Sequence, residues 1–211
     1  MTDIVLYDFW RSSASYRLRI AMALGGIAYH SIAIDLPSQQ HKTDAHLARN
    51  PQGFVPVLDI DGLRLTQSLA ILDYLDETRA LGLLPKGAGP RAQVRALAHC
   101  VAIDVHPVCN LQVAAHAVKI TGREDARAAW MQRFIRPGMQ AFEGLLNNFA
   151  PAPFCAGDTP GLADICLMPQ VYNARRWGAE IDDLPRTMAV VRACEAHPAF
   201  QAAHPDMHPP A

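Results

Sequence analysis

The sequence has no strong excess of either charge and no long apolar run. Its 19 lysines and arginines balance 20 aspartates and glutamates, for a formal net charge of -1. This balance gives no electrostatic attraction to nucleic acid or to an anionic membrane. No apolar stretch approaches the about 18 residues of a membrane span, and the N-terminus carries no signal-peptide pattern. We therefore expect a soluble, cytoplasmic protein with neither nucleic acid nor a membrane as its partner.

The five cysteines do not form the spacing of a disulfide framework or a zinc site. Their number is odd and none lies in a C-x-x-C pair, which favours reduced, mostly buried thiols. Nine histidines are present, but no H-x-x-x-H or H-E-x-x-H pattern occurs. Asp104, His106 and Cys109 are close in sequence, but Pro107 interrupts them. The sequence predicts no metal site.

The pattern of apolar residues changes near residue 85. Before it, β-like and helical runs alternate. Strands are predicted at 4–7, 29–34, 55–60 and 63–65, and helices at 13–24, 39–48 and 68–77. Asp61-Gly62 is a strong hairpin signal between the last two strands. The order βαβ and then ββα predicts a mixed four-stranded sheet covered by helices.

Residues 83–90 are rich in proline and glycine and are predicted to be a linker. No strand is predicted beyond them. Helices are predicted at 91–120, 124–149, 162–177 and 186–196. The four prolines after His197 predict an irregular tail. The fold class is therefore an α/β domain followed by an all-α domain.

Clustered hydroxyls follow the first strand, where Arg11-Ser12-Ser13-Ala14-Ser15 opens a helix. The free N–H groups and the dipole at a helix N-terminus favour an anion, and serine can donate a hydrogen bond to a thiolate or an oxyanion. One of these serines could instead serve only as the helix N-cap. Taken alone, this segment does not decide between the two roles.

Two further segments carry the same ambiguity. In 50–58, a cis Val55-Pro56 bond would leave the backbone of Val55 free to pair with a bound peptide as an added strand does. In 65–75, Gln67 and Ser68 open a helix whose N-terminus suits a carboxylate, or where Ser68 is a plain cap.

Taken together, the three segments resemble those of the glutathione transferases. RSSASYRLRIA, NPQGFVPVL and QSLAILDYL are similar to the zeta class, which includes maleylacetoacetate isomerase and maleylpyruvate isomerase. The likeness continues in residues 106–113, 157–164 and 169–177, so it spans nearly the whole chain. It implies the glutathione transferase fold, with a thioredoxin-like glutathione-binding domain at 1–82 (βαβαββα) and a helical substrate-binding domain at 91–211. It also implies a homodimer.

The resemblance also implies roles for particular residues. Ser12 and Ser13 match the serines beside the glutathione sulfur, and either could be the main thiolate donor. Arg11 matches an arginine that faces the acidic groups of the substrate. The remaining matches concern glutathione and the substrate. Val55 would pair with the cysteinyl backbone, Gln67 and Ser68 would hold the γ-glutamyl end, Gln40 or His41 would meet the glycyl carboxylate, and Arg176, Asn110 and Gln112 would face the substrate.

The activity implied is the glutathione-dependent cis–trans isomerisation of an unsaturated dicarboxylic keto acid. A thiolate adds to the cis double bond, the new single bond rotates, and elimination returns glutathione, so glutathione is a cofactor and is not consumed. Arg11 would stabilise the charge that develops during addition, and Arg176 would bind the distal carboxylate. The uncharged wall at 110–112 favours maleylacetoacetate over the shorter maleylpyruvate.

Two positions depart from the family pattern. Ala14 stands where many zeta enzymes have cysteine, which leaves glutathione as the only nucleophile. Gly161 stands where the family usually has a serine or threonine N-cap, although Asp164 can still bond back to the Gly161 N–H as half a capping box. We therefore expect a structural role for Asp164.

Other functions remain open at this point. The same serines would serve a general transferase or a dehalogenase of small α-halo acids. A non-catalytic interaction module is less favoured because the hydroxyls and the Gln67-Ser68 helix start are retained. A thioredoxin-type oxidoreductase is disfavoured because residues 12–15 contain no cysteine.

Overall fold

Four short strands form the mixed sheet that the sequence predicts. The structure, a computed structural model, describes residues 4–209. The strands are β1 (Val5–Asp8), β2 (His30–Ala33), β3 (Val57–Ile60) and β4 (Leu63–Thr66), in the order β2-β1-β3-β4. β1 and β2 are parallel, and the other two pairs are antiparallel. Asp61 and Gly62 have φ of 53° and 77°, as a type I′ hairpin requires. The thioredoxin-like sheet and its hairpin are confirmed.

Three helices accompany this sheet: α1 (Ser13–Leu24), α2 (Asp44–Leu47) and α3 (Ser68–Arg79). The predicted helix at 39–48 is wrong, because Thr43 is extended between a 3₁₀ turn at Gln40–Lys42 and the single turn of α2. The Thr43 hydroxyl donates to the Gln40 carbonyl at 2.8 Å, a local bond that competes with helix propagation.

The two faces of the sheet carry different clusters of apolar residues. Leu6 and Leu58 are fully buried, and successive residues of a strand point to opposite faces, so Tyr7 and Val57 belong to the other face. There they form a cluster with Ile34. The buried residues of α1 and α3, which pack on each other, supply much of the remaining core: Leu18, Ile20, Met22, Ile71, Leu72 and Leu75. These contacts fix the start of α1 and of α3 relative to the sheet.

The chain divides into two compact units. The sheet-containing unit runs to Leu81 and includes the residues from His197 onward, whereas the helical unit is Gly82–Ala196. The helical unit contains α4 (Ala88–His99), α5 (Leu111–Thr121), α6 (Ala126–Leu146), α7 (Leu162–Trp177) and α8 (Pro185–Ala196). The bounds of α7 are those predicted, and α6 and α8 lie where helices were expected.

A single helix over 91–120 is the main error in the helical unit. After α4 the chain widens into a π-helical turn at Cys100–Val105 and then leaves the helix at 106–110. Pro107 has no N–H to continue the ladder, and Asn110 caps the new helix α5. Gly138 of α6 lies against this turn, and a Cβ added there would be 2.2 Å from Val105 Cγ2.

Both proline-rich segments contain more helix than the sequence predicts. α4 begins at Ala88, inside the segment assigned to the linker, because the N–H groups of a first helical turn need no intrahelical acceptor and Pro90 is tolerated there. In the tail, α9 (Pro198–Ala203) begins with Pro198 at its first position, and His197 Nδ1 accepts from the Ala199 N–H. The tail was expected to be irregular and was assigned to the helical domain at 91–211, but residues 197–209 contain two short helices and group with the sheet-containing unit, whereas Pro210 and Ala211 lie outside the described residues.

No helix within residues 4–209 combines the length and the apolar character that crossing a membrane requires. Over the same stretch of chain, no three histidine, cysteine, aspartate or glutamate side chains come together as metal ligands would.

Candidate active site

Three chain segments meet at one end of the sheet. Tyr7 is paired with Val57, and Val57 with Thr66, so the carboxyl ends of β1 and β4 flank the amino end of β3. The residues that leave or enter the sheet here are those picked out by the sequence motifs. They are 11–13 after β1, Val55 before β3, and 67–68 after β4. The register therefore brings the three predicted segments of the sheet-containing unit to a common edge.

The two candidate serines occupy different positions at the start of α1. Ser12 is the N-cap, with extended backbone, and its Oγ accepts from the Ser15 N–H at 3.2 Å. A hydroxyl that accepts one bond keeps its own proton to donate, so Ser12 retains a donor. Ser13 is the first helical residue. The structural cap role expected for one serine thus belongs to Ser12.

Arg11 lies in the turn just before this cap. Its side chain is exposed, and its Cζ is 3.9 Å from the centroid of the Trp10 ring. Stacking on an aromatic face restrains a guanidinium without removing its hydrogen-bond donors. Arg11 therefore places a restrained cation one residue before Ser12 in the chain.

The backbone before Val55 is fixed by two buried side chains. The Phe54 carbonyl accepts from His46 Nε2 at 2.9 Å and from Asn50 Nδ2 at 3.0 Å. His46 and Asn50 are buried, so this carbonyl points inward. The Phe54-Val55 peptide is trans, and its N–H points opposite to its carbonyl, which turns the Val55 N–H outward. The following bond, Val55-Pro56, is cis.

The start of α3 contains a buried hydroxyl supported by a buried cation. Ser68 accepts a hydrogen bond from Arg17 Nη1 at 3.1 Å, and both residues are buried. Because Ser68 Oγ already accepts, its proton is available for an acceptor near the helix N-terminus. Gln67, at a φ of 68°, precedes it, and its Nε2 donates to Gln52 Oε1 at 2.7 Å.

The two candidate residues of the loop at 39–42, Gln40 and His41, make different contacts. Gln40 Oε1 accepts from the Asp35 N–H at 2.7 Å, which holds that side chain against its own loop. His41 lies beside Gly53, where an added Cβ would be 3.0 Å from the His41 carbonyl oxygen. Burial, followed by the charges of Lys42 and His46, lowers the pKa of His41. The lowered pKa favours the neutral form of the His41 ring, which lies next to the loop that leads into Val55.

The candidate substrate residues of the helical unit lie on two helices. Asn110 is the N-cap of α5, and its Oδ1 accepts from the Gln112 N–H at 3.1 Å. Arg176 is exposed near the end of α7, with its Cζ 5.0 Å from the centroid of the Trp177 ring. Its neighbour Arg175 forms an ion pair with Glu195.

Asp164 has the structural role expected of it. Its Oδ2 accepts from the Gly161 N–H and its Oδ1 from the Cys155 N–H, both at 2.9 Å. Burial raises the pKa of this carboxyl, an effect opposed by these two backbone bonds. A Cβ at Gly161 would be 2.9 Å from the Leu83 carbonyl oxygen, which accounts for glycine at this cap.

The five cysteines are all free and buried. Burial raises the pKa of Cys109 to about 11 and also raises that of Cys155. Since only a thiolate is a good nucleophile, these side chains do not offer a reactive group.

Sequence reasoning missed three polar residues of the sheet-containing unit: Arg17, Arg19 and Gln52. Arginine is rarely buried, so Arg17 and Arg19 were not distinguished from surface residues of α1. The available signal was their position in α1. Leu18 and Ile20 lie next to these arginines in the sequence, and a helix segment with so many apolar residues has little solvent-exposed surface for an arginine.

Comparison with known proteins extends over both units. A sequence profile described as the N-terminal domain of glutathione S-transferases matches residues 2–77. The maleylacetoacetate isomerase of Rhizobium meliloti (strain 1021) is 56% identical over 210 residues, which are 99% of this chain and 99% of that protein.

Solved structures of the same kind of enzyme are also similar to this chain. A maleylpyruvate isomerase, described as a bacterial glutathione S-transferase of the zeta class, superposes with a TM-score of 0.94 at 40% identity, covering 98% of this chain and 99% of the other. The maleylacetoacetate isomerase of Anaeromyxobacter dehalogenans 2CP-1, with dicarboxyethyl glutathione and citrate in its active site, has a TM-score of 0.87 at 41% identity, covering 99% and 97%.

Proposed function

This chain belongs to the zeta class of the glutathione transferase family, and from that premise we propose that it is a glutathione-dependent maleylacetoacetate isomerase. The product would be the trans isomer, fumarylacetoacetate. The observation that carries the proposal is the common edge of the sheet, where Ser12, Val55 and Ser68 supply donors suited to a thiolate, a peptide backbone and a carboxylate. The identity of 56% to a maleylacetoacetate isomerase supports this choice of substrate.

The residues at this edge fit glutathione. Its γ-glutamyl carboxylate suits the Ser68 hydroxyl at the start of α3, where Arg17 adds a buried positive charge. Its cysteinyl carbonyl suits the outward N–H of Val55. Gln67, together with Gln52 to which it bonds, lies beside Ser68 and offers further polar groups to the γ-glutamyl end.

For the glycyl carboxylate we choose His41 over Gln40. The Gln40 side chain is already bonded to its own loop, whereas His41 adjoins the segment that leads to Val55. A neutral imidazole donates one N–H to a carboxylate, and the lowered pKa of His41 favours this neutral form.

When bound, glutathione supplies the thiolate that adds to the cis double bond and leaves after rotation. A free thiol has a pKa of about 8.5, so only about 3% of it is ionised at pH 7. We assign the main stabilising hydrogen bond to Ser12, because its hydroxyl accepts from Ser15 and retains a proton to donate. Ser13, one residue further, and the N-terminus of α1 would add to the same effect.

Two arginines are assigned to the acidic groups of the substrate. Arg11, restrained on the Trp10 ring, would stabilise negative charge that develops on the carbonyl side during addition. Arg176, which is exposed near the end of α7 and stacks on the Trp177 ring, would bind the distal carboxylate. Bound dicarboxyethyl glutathione and citrate in the relative from Anaeromyxobacter dehalogenans support an acidic substrate.

Maleylpyruvate is the second candidate substrate, supported by the TM-score of 0.94 to a maleylpyruvate isomerase. It is the shorter diacid, and a site built for it should carry another cation. Asn110, Leu111 and Gln112 are uncharged, which favours maleylacetoacetate.

The test is a pair of isomerisation assays. Maleylacetoacetate and maleylpyruvate are each followed by ultraviolet absorbance with the purified protein, with and without glutathione. We expect rapid conversion that requires glutathione but leaves its concentration unchanged, with maleylacetoacetate the faster substrate. If glutathione binds but neither substrate turns over, the isomerase assignment is wrong, and conjugation or dehalogenation should be assayed next.

We further propose that the protein is a cytoplasmic homodimer that acts in the degradation of tyrosine, phenylalanine or other aromatic compounds. The five free thiols are typical of a reducing compartment. Sedimentation equilibrium would test the dimer, and loss of growth on tyrosine after deletion of the gene would test the pathway.

A further inference from the structure

The side chain of Arg19 is buried and bonds to three separate parts of the sheet-containing unit. Its Nη1 donates to Asp8 Oδ2 at 2.6 Å, at the end of β1. Its Nη2 donates to the Trp10 carbonyl at 2.8 Å, and its Nε donates to the Ala203 carbonyl at 3.1 Å. The side chain is only 1% exposed. A planar guanidinium can reach three acceptors in fixed directions, which the single ammonium of lysine cannot.

The Trp10 carbonyl is the central one of a tight turn. The Ser12 N–H donates to the Phe9 carbonyl at 2.8 Å, which makes Trp10 and Arg11 the two middle residues of a β-turn. Turns of types I and II differ mainly in the orientation of this central peptide. The Arg19 side chain holds the Trp10 carbonyl inward. The Arg11 N–H belongs to the same trans peptide and therefore points away from the buried guanidinium. The orientation of the turn before Ser12 thus depends on Arg19.

The third partner of Arg19 lies in the C-terminal segment, which we define as residues 197–209. α9 of this segment packs on α1, and Phe200 is buried. The ring of His204 meets that of Tyr16 edge to face, with centroids 6.1 Å apart. The segment therefore covers the helix that begins with the two serines and supplies one of the acceptors that orient Arg19.

We propose that Arg19 is a positioning residue for the thiolate site, and that the C-terminal segment helps it to hold the Trp10-Arg11 peptide. This rests on the proposed function, because it concerns the same thiolate. Loss of the Arg19 geometry allows the turn to reorient, which moves Arg11 and the Ser12 cap. The γ-glutamyl contacts at Ser68 lie on α3 and are supported by Arg17 instead. Thiol ionisation should therefore suffer while affinity for glutathione is retained.

The first test is Arg19→Lys, which keeps the charge beside Asp8 but cannot reach all three acceptors. Its matched control is Arg64→Lys, which replaces an arginine that bonds bidentately to Asp59 on the exposed side of the same unit. Glutathione affinity is measured by calorimetry, and ionisation of the bound thiol by the ultraviolet absorbance of its thiolate as a function of pH. For Arg19→Lys we expect the ionisation midpoint of the bound thiol to rise by about one pH unit. The thiolate fraction at pH 7 and kcat should then each fall by up to about tenfold. KM for glutathione should stay within about twofold, and Arg64→Lys should leave all three values unchanged.

A purely structural role for Arg19 would lower the melting temperature without moving the ionisation midpoint of the bound thiol. That result in folded Arg19→Lys would overturn the proposal. The second variant, Phe200→Ala, leaves the guanidinium and its ion pair in place and loosens only the C-terminal segment. A shift in the same direction supports the proposal. If the ionisation midpoint in Phe200→Ala equals that of the wild type, the C-terminal segment has no role in positioning. If, in addition, Arg19→Lys does not fold, that wild-type midpoint in Phe200→Ala overturns the whole proposal.

The calorimetry and the titration of the bound thiol need no substrate, so these two measurements separate this proposal from the proposed function. If the wild-type protein binds and ionises glutathione but isomerises neither keto acid, the substrate assignment fails and the positioning test still applies. If the wild-type protein does not lower the pKa of glutathione at all, both fail.

Discussion

Replacement of Ser12 by glycine should separate its two roles. As the N-cap of α1, Ser12 accepts a hydrogen bond from the Ser15 N–H at 3.2 Å, and we assign its own proton to the glutathione thiolate. An N-cap serine changed to alanine loses about 0.5–2 kcal/mol of stability, whereas glycine loses only a few tenths. Ser12→Gly should therefore keep a nearly native free energy of unfolding while removing the donor.

The effect on the thiolate can be estimated from the strength of that one bond. A hydrogen bond to a charged group contributes about 1.5–3 kcal/mol, and each pH unit corresponds to about 1.36 kcal/mol. Ser12→Gly should raise the ionisation midpoint of bound glutathione by about one to two pH units. At pH 7, kcat/KM for maleylacetoacetate should fall by about 10- to 30-fold, because a thiol returned to a pKa of about 8.5 keeps only about 3% of its thiolate, and most of that loss should be recovered at higher pH.

The assay combines urea unfolding with a pH profile of kcat/KM. Ser12→Thr, which keeps both the acceptor and the donor, should resemble the wild type, and Ser12→Ala should lose both stability and activity. Ser13→Ala is the neighbouring control and should shift the pH profile less than Ser12→Gly. A wild-type pH profile for Ser12→Gly, or a larger shift for Ser13→Ala, would refute the assignment of Ser12.

Three further predictions concern the helical unit and the thiols. Gly138→Ala would place a Cβ 2.2 Å from Val105 Cγ2, so we expect a loss of about 1–3 kcal/mol in the free energy of unfolding in urea. Asp164→Asn should lose a similar amount, about 1–3 kcal/mol, because an amide can accept only one of the two backbone N–H bonds. Since burial raises the pKa of Asp164, the native state binds this proton more tightly than the unfolded chain. The wild type should therefore lose stability as pH rises through that pKa, and Asp164→Asn should lack this slope in a series of urea titrations. Finally, the native protein should show almost no reaction with a chromogenic disulfide reagent, whereas unfolding in urea should release five reactive thiols; rapid reaction of the native protein would contradict the burial of these side chains.

Much of the fold follows from local sequence signals. The hairpin at Asp61-Gly62 has positive φ values that only a few residue types adopt readily, so the Asp-Gly pair predicts the turn. The bounds of α7 follow from apolar periodicity between two glycines, Gly161 and Gly178. The segments around Ser12 and Ser68 could be picked out because a strand followed by a hydroxyl-rich helix start is a distinct local pattern.

The rest depends on contacts that the sequence pattern does not show, some of them between residues far apart in the chain. No local signal places Gly138 against Val105, so the π-helical turn after α4 was not predicted. Our proposal of Ser12 over Ser13 uses its hydrogen bond from the Ser15 N–H, and our proposal of His41 over Gln40 uses the bond from the Asp35 N–H to Gln40. The burial of Arg19 was missed because its acceptors include a carbonyl 184 residues away.

That long separation bears on how the protein is made. A ribosome produces the whole helical unit, Gly82–Ala196, between the first part of the sheet-containing unit and the segment that completes it. Until Ala203 has emerged, one of the donors of Arg19 lacks its native acceptor and the Phe200 side chain has not covered α1. The sheet-containing unit therefore remains incomplete until residues 197–203 have been synthesised, and a fragment ending at Leu81 is a poor choice for producing this unit alone.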